Sequence, residues 1–294
     1  MNSPTTIQMR VQLFWIHTFS CTLRSLSRNL LREICLYLEQ ELTYVPALHL
    51  SKLRLYNVRG RTVREQDLEV SFSSGAVYCF TQGLELIVVG GWPSVENVYV
   101  IRDWKAVKQA SMGTPRAWPG IYHWKRQTYV FGGNFPSVTS CEKQLNEQWH
   151  SLPDMTCARY SFSPCYYHET LWLLDLYTEQ KTMDSFILKD ERFVVLPYIT
   201  PEGDFSNSMA YMSENDEFVV ISTQSNCYVW TPGQLKADQQ SLSSVGQIRA
   251  YSPCPLLCCG TQVYFSNIER GQLGCYFREK GIIQEITDFT VITH

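Results

Sequence analysis

Three arginines stand at one recurring place in the chain. Arg116, Arg159 and Arg249 follow one another at intervals of 43 and 90 residues, the second being twice 45. Each sits in a similar stretch: Pro115-Arg116-Ala117-Trp118, Ala158-Arg159-Tyr160-Ser161 and Ile248-Arg249-Ala250-Tyr251. A guanidinium is permanently charged, and its planar fork of donors binds carboxylate or phosphate at two points. Two roles are open for such a set. Gathered at one rim, the three would form a positive mouth for an acidic or phosphorylated segment of a partner. Held between repeats, they would bond backbone carbonyls instead. Trp92, Asn134 and Phe135 each come just after a glycine pair, Gly90-Gly91 or Gly132-Gly133, and are the candidate neighbours of that mouth.

Other chemistry is sparse. The chain has no Gly-x-x-x-x-Gly-Lys-Ser/Thr phosphate loop, no His-Glu-x-x-His, no Gly-x-Ser-x-Gly and no Gly-x-Gly-x-x-Gly. The six histidines make no ligand-spaced pair. Cys254-Pro-Leu-Leu-Cys258-Cys259 is the nearest approach to a metal cluster. Zinc sites pair two such ligand groups at set spacings, and no second group exists, so these thiols read as small buried hydrophobes. No catalytic residue, metal ligand or cofactor is expected, and the reading is of a binding protein rather than an enzyme.

The elements that position the arginines are short strands. Apolar or aromatic runs such as Ala76 to Phe80, Leu84 to Val89, Thr128 to Phe131 and Gln262 to Phe265 alternate with Gly, Pro, Ser and Asn. With 45% hydrophobic and only 18% charged residues, the composition favours packed sheets over long solvated helices. The runs also recur. They end at Gly91, Gly133, Asp175, Ser222 and Ser266, steps of 42, 42, 47 and 44, in phase with the arginine ladder. A period of this size in an all-β chain means the blades of a propeller. Five repeats are countable from Ser73 onward. A hairpin over Lys52 to Leu68 and a last strand near Phe289 to Thr293 would add a sixth blade closed by both chain ends. The expectation is therefore five to six blades.

One repeat carries a specific pattern: Thr-Tyr-Val-Phe-Gly132-Gly133, then Trp149-His-Ser-Leu152-Pro153, then Ala158-Arg159. This resembles a kelch repeat, whose strand ends in Gly-Gly and is followed by a Trp and a Pro-Arg-like turn. The first repeat keeps Gly90-Gly91 but has Trp104 early, and the later repeats lack the glycine pair. The resemblance covers roughly Leu50 to His294 and implies a kelch-type β-propeller that binds proteins or peptides on its loops. It also leaves an alternative, an enzyme working at the channel mouth in the manner of galactose oxidase.

Residues 1–49 read as a separate helical segment, and 50–294 as the propeller. After Ser27, Leu30, Leu31, Ile34 and Leu38 form one apolar stripe, and Pro46 is a stop. The stripe resembles the start of an F-box. That resemblance implies contact with a Skp-type adaptor and a substrate-receptor role in a cullin-type ubiquitin ligase; the other reading is a cap packed on the propeller. Met1 to Arg64 carries nine basic and three acidic residues, the remainder sixteen and twenty-five. The overall charge of -3 gives no reason to expect nucleic acid, and no apolar run is long enough to span a membrane. Eleven cysteines at irregular spacing fit a reducing cytoplasm.

Overall fold

Runs rich in β-branched and aromatic residues form twenty-five strands among the described residues. The computed structural model describes residues 44–58, 60–81, 85–134, 136–174, 183–196, 207–212, 215–222, 227–231, 238–240, 256–259, 261–267, 272–280, 282–286 and 290–292. The strands in chain order are β1 (Tyr44–His49), β2 (Lys52–Asn57), β3 (Thr62–Asp67), β4 (Val77–Phe80), β5 (Leu86–Val89), β6 (Val98–Arg102) and β7 (Lys105–Lys108). There follow β8 (Gly120–Trp124), β9 (Gln127–Phe131), β10 (Cys141–Leu145), β11 (Gln148–Leu152), β12 (Phe162–Ser163), β13 (Cys165–Tyr167), β14 (Thr170–Leu174), β15 (Met183–Ile187) and β16 (Arg192–Leu196). The last are β17 (Asn207–Met212), β18 (Glu217–Ser222), β19 (Cys227–Trp230), β20 (Asp238–Gln240), β21 (Leu257–Cys259), β22 (Gln262–Asn267), β23 (Gln272–Phe277), β24 (Ile282–Ile286) and β25 (Thr290–Ile292).

Five blades are built from consecutive strands: β4–β7, β8–β11, β13–β16, β17–β20 and β21–β24. Within each, neighbours pair antiparallel, and β12 adds to β17 in parallel. A further sheet has the order β1-β2-β3-β25, so both ends of the described chain meet in it. β1, β2 and β3 begin 42, 46 and 43 residues ahead of β5, β6 and β7, and so take the second, third and fourth places of a blade. Among the described residues no strand takes the first place there. Six apolar clusters lie between neighbouring sheets and carry the packing all the way around. Ring closure is seen where Val45 and Ala47 meet Tyr264 and Cys275, and where Leu48 and Leu53 meet Tyr78 and Leu86. Each large side chain buried this way contributes roughly 1.5–3 kcal/mol. The all-β propeller expected from the period is thus the architecture.

The propeller begins earlier than expected. Tyr44–His49, assigned from sequence to the head, is β1, and Pro46 is inside it rather than ending a helix. Pro46 pairs with Leu55 and its carbonyl accepts bonds from the hydroxyls of Tyr78 (3.3 Å) and Ser266 (2.8 Å). Among the described residues β1 ends the hydrogen-bonded order of its sheet, and proline, lacking an N–H, is tolerated at such an edge. The helix expected over Ser27 to Glu39, with Leu30, Leu31, Ile34 and Leu38, lies outside the described residues. So do Arg249 and Phe135.

The two ends of the blades use different turns. Third and fourth strands join through Asp103-Trp104 and Asn146-Glu147, and first and second through Lys125-Arg126 and His168-Glu169; all eight residues have positive φ. Two-residue turns of this hand match the twist of the paired strands. The opposite end carries the glycine pairs and the longer connections into each next blade, and it is there that the candidate residues collect.

Candidate binding face

The glycine pairs occupy equivalent places, one after β5 and one after β9, both second strands. Gly90 and Gly132 have φ of 71° and 59°. A Cβ on Gly90 would lie 2.5 Å from the Arg116 carbonyl oxygen, and one on Gly132 would lie 2.2 Å from that of Arg159. Only a residue without a side chain lets the next blade's entry loop come this close. That approach is used: Gly91 N–H donates to Arg116 O (3.0 Å) and Gly133 N–H to Arg159 O (2.9 Å). The entry loops are joined to each other as well. Trp118 N–H donates to Gly75 O (2.7 Å), and Ser161 N–H to Trp118 O (2.8 Å). The rim is therefore a continuous hydrogen-bonded belt over these blades.

Arg116 and Arg159 do not open onto the rim. Arg116 and Arg159 are both wholly buried. The Arg116 guanidinium donates to the carbonyls of Gly132 and Ser140, to Ser140 Oγ (3.0 Å) and to Glu142 Oε1 (2.9 Å). Arg159 Nε donates to Asp184 Oδ2 at 3.2 Å, and Asp184 is also fully buried. Arg116 thus bonds backbone carbonyls, as the second of the two roles read from the sequence expected, and Arg159 is held by a carboxylate. A charge in the interior requires a partner, and each guanidinium finds a carboxylate on the blade that follows it. The acids complete the clamp from their side. Glu142 accepts from the backbone N–H of Gly113 (2.6 Å) and Thr114 (3.0 Å). Asp184 accepts from Thr156 N–H (3.3 Å) and Thr156 Oγ1 (2.7 Å). Each carboxylate thus ties down the whole connection that enters its blade.

Glu142 and Asp184 escaped the sequence reading, although a signal existed. They follow Arg116 and Arg159 by 26 and 25 residues and sit at the start of third strands, β10 and β15. Trp149 packs on the apolar cluster between two blades and donates from Nε1 to Ala110 O (2.9 Å).

Of the proposed neighbours, Asn134 is half-buried and structural. Its N–H donates to Ala117 O (2.8 Å), its carbonyl accepts from Ser94 Oγ (2.8 Å), and its Oδ1 accepts from Ser137 Oγ (2.9 Å). Trp92 is different, being 41% exposed. Its ring stacks on Trp118, centroids 5.9 Å apart and planes at 27°. Trp118 in turn lies on Gly75, where a Cβ would sit 3.0 Å from the indole. Trp92 N–H donates to Ser74 O at 2.5 Å, so backbone and ring are both fixed. From the sequence Trp118 stood only as a member of the Pro115-Arg116-Ala117-Trp118 turn.

Burial pushes the thiols of Cys79 and Cys141 up to about 12, which keeps them protonated. Burial likewise raises the Tyr122 hydroxyl, whose ring stacks on Tyr166 at 6.3 Å. It holds His123 down to about 4, with Nδ1 3.1 Å from Thr128 Oγ1. Among the described residues no three His, Cys, Asp or Glu gather as metal ligands, and no helix is long and apolar enough to cross a membrane. Compared with known proteins, the chain matches no family model and no curated protein.

Proposed function

We propose that the protein is a kelch-type, non-catalytic binding module that holds a protein or peptide on the face carrying the glycine turns and blade-entry loops. One observation carries this reading. The loops of that face are locked from beneath by buried arginine–carboxylate clamps, yet they hold out a large aromatic side chain, Trp92, on a rigid support. Preorganised aromatic side chains of this kind dominate protein recognition, because little entropy is lost when a partner docks. Support for the kelch-type assignment comes from the equivalent glycine pairs, the wedge role of Trp149 and the repeated arginine turn.

The test is site-specific photo-crosslinking of the full chain in cell extract. A crosslinker replacing Ser137 reports on this face, and one replacing Lys125 reports on the opposite one. Partners captured from Ser137 but not Lys125 are the expected result. Capture only from Lys125 would reject the face. A ligase-receptor form of the module, using Leu30, Leu31, Ile34 and Leu38, requires direct binding of a Skp-type adaptor. A binding assay with purified adaptor that shows no complex removes that form and leaves the module.

A further inference from the structure

The chemistry of the partner follows from what surrounds Trp92. The described connections on this face run over 50–51, 68–76, 90–97, 109–119, 132–140 and 153–161. Their exposed charged residues are Glu69, Glu96 and Asp154, all acids. The two cations in these connections, Arg116 and Arg159, are buried in their clamps and present no charge outward. Among the described residues Trp92 therefore stands in loops whose exposed charges are acidic, with Glu96 in its own loop and Glu69 in the loop that supplies Ser74 and Gly75, while Lys52 and Lys108 border them at the ends of β2 and β7. An indole face attracts a cation through the ring quadrupole, and nearby carboxylates add to that attraction.

We infer that the Trp92–Trp118–Gly75 stack is the anchoring subsite of this face, and that it takes an arginine or lysine side chain from an extended basic segment of a partner protein. This rests on the binding-module reading and gives it a ligand class. The sign is opposite to that expected from the arginine ladder alone, because burial withdraws Arg116 and Arg159 from the surface. Trp118 acts as the support: its ring fills the space between Gly75 and Trp92 and fixes the plane of the outer indole.

The experiment uses the full chain and three fluorescein-labelled dodecapeptides of glycine and serine, carrying several arginines, glutamates or leucines respectively. Anisotropy should show binding of the arginine peptide alone, weakening as salt is raised. Trp92→Leu keeps apolar bulk but removes the π face, and should weaken that binding by roughly tenfold. Glu96→Gln should weaken it by a smaller factor. On the unmodified protein the arginine peptide should shift the Trp92 indole N–H resonance, a readout that does not depend on how a variant folds. The assignment is overturned if the leucine peptide binds as well, if Trp92→Leu leaves affinity unchanged, or if the indole signal does not move. A random peptide library on phage separates the two levels. Selected peptides that are not basic and survive Trp92→Leu would end the cationic assignment and leave the module standing. No selected peptide, together with no crosslink from Ser137, would end both.

Discussion

Replacing Arg116 by methionine should destabilise the propeller far more than any surface charge change. Methionine keeps most of the volume, so the loss is electrostatic rather than a cavity. Glu142 would remain buried with its two backbone partners but without its cation. The carbonyls of Gly132 and Ser140 would lose donors in the interior. Removing one member of a buried ion pair costs about 3–5 kcal/mol, a large part of the roughly 5–15 kcal/mol that holds a typical domain folded. Urea denaturation followed by tryptophan fluorescence measures it, and the melting temperature should fall by about 10 °C. Adding Glu142→Gln neutralises the stranded charge, so the double variant should be more stable than the two single costs predict, by about 1 kcal/mol or more. Arg102→Ala serves as the control. Its pair with Glu85 is on the surface, with the arginine side chain 65% exposed, and its loss should change stability by less than about 1 kcal/mol. The clamp argument is refuted if Arg116→Met costs less than about 1 kcal/mol, or if the double variant is strictly additive.

Gly132→Ala places a Cβ 2.2 Å from the Arg159 carbonyl at a φ of 59°, so a cost of roughly 2 kcal/mol or more is expected in the same denaturation assay. Cys79 and Cys141, whose thiols burial holds at about 12, should resist alkylation in the native protein and react only after unfolding, as mass spectrometry would show; rapid native labelling would contradict their burial. His123 is held at about 4 when folded, against 6.5 when unfolded, so the unfolded chain binds the extra proton. Its contribution is complete above about pH 6.5, is lost as pH falls toward 4, and amounts to at most about 3 kcal/mol. His123→Gln should flatten that stretch of the stability–pH curve, and an unchanged slope would show that other groups set it.

Much of the architecture was legible in the residues because repetition is a one-dimensional property. Near-equal steps of 42 and 43 residues, between Gly91 and Gly133 and between Arg116 and Arg159, follow from similar blades being threaded by one chain. The need for glycine at 90 and 132 could be inferred as well, since a close backbone approach excludes side chains wherever it occurs. The limit of the first sheet was not legible: proline stops helices and is also tolerated in an edge strand, and only pairing with Leu55 decides between the two for Pro46. Nor did the arginines reveal whether they face water or the interior. A guanidinium suits an anion in either setting, and the choice depends on a carboxylate some 26 residues away, on the third strand of the blade that follows. Trp92 and Trp118 pose the same problem in reverse. Both are apolar enough for a core, and only the packing of two neighbouring loops over Gly75 makes Trp118 a half-buried support and leaves Trp92 41% exposed. The spacing of residues along the chain set the repeat and the order of the blades; their number, the burial and the sign of the exposed charge arise between distant segments, and were decided only when the ring closed.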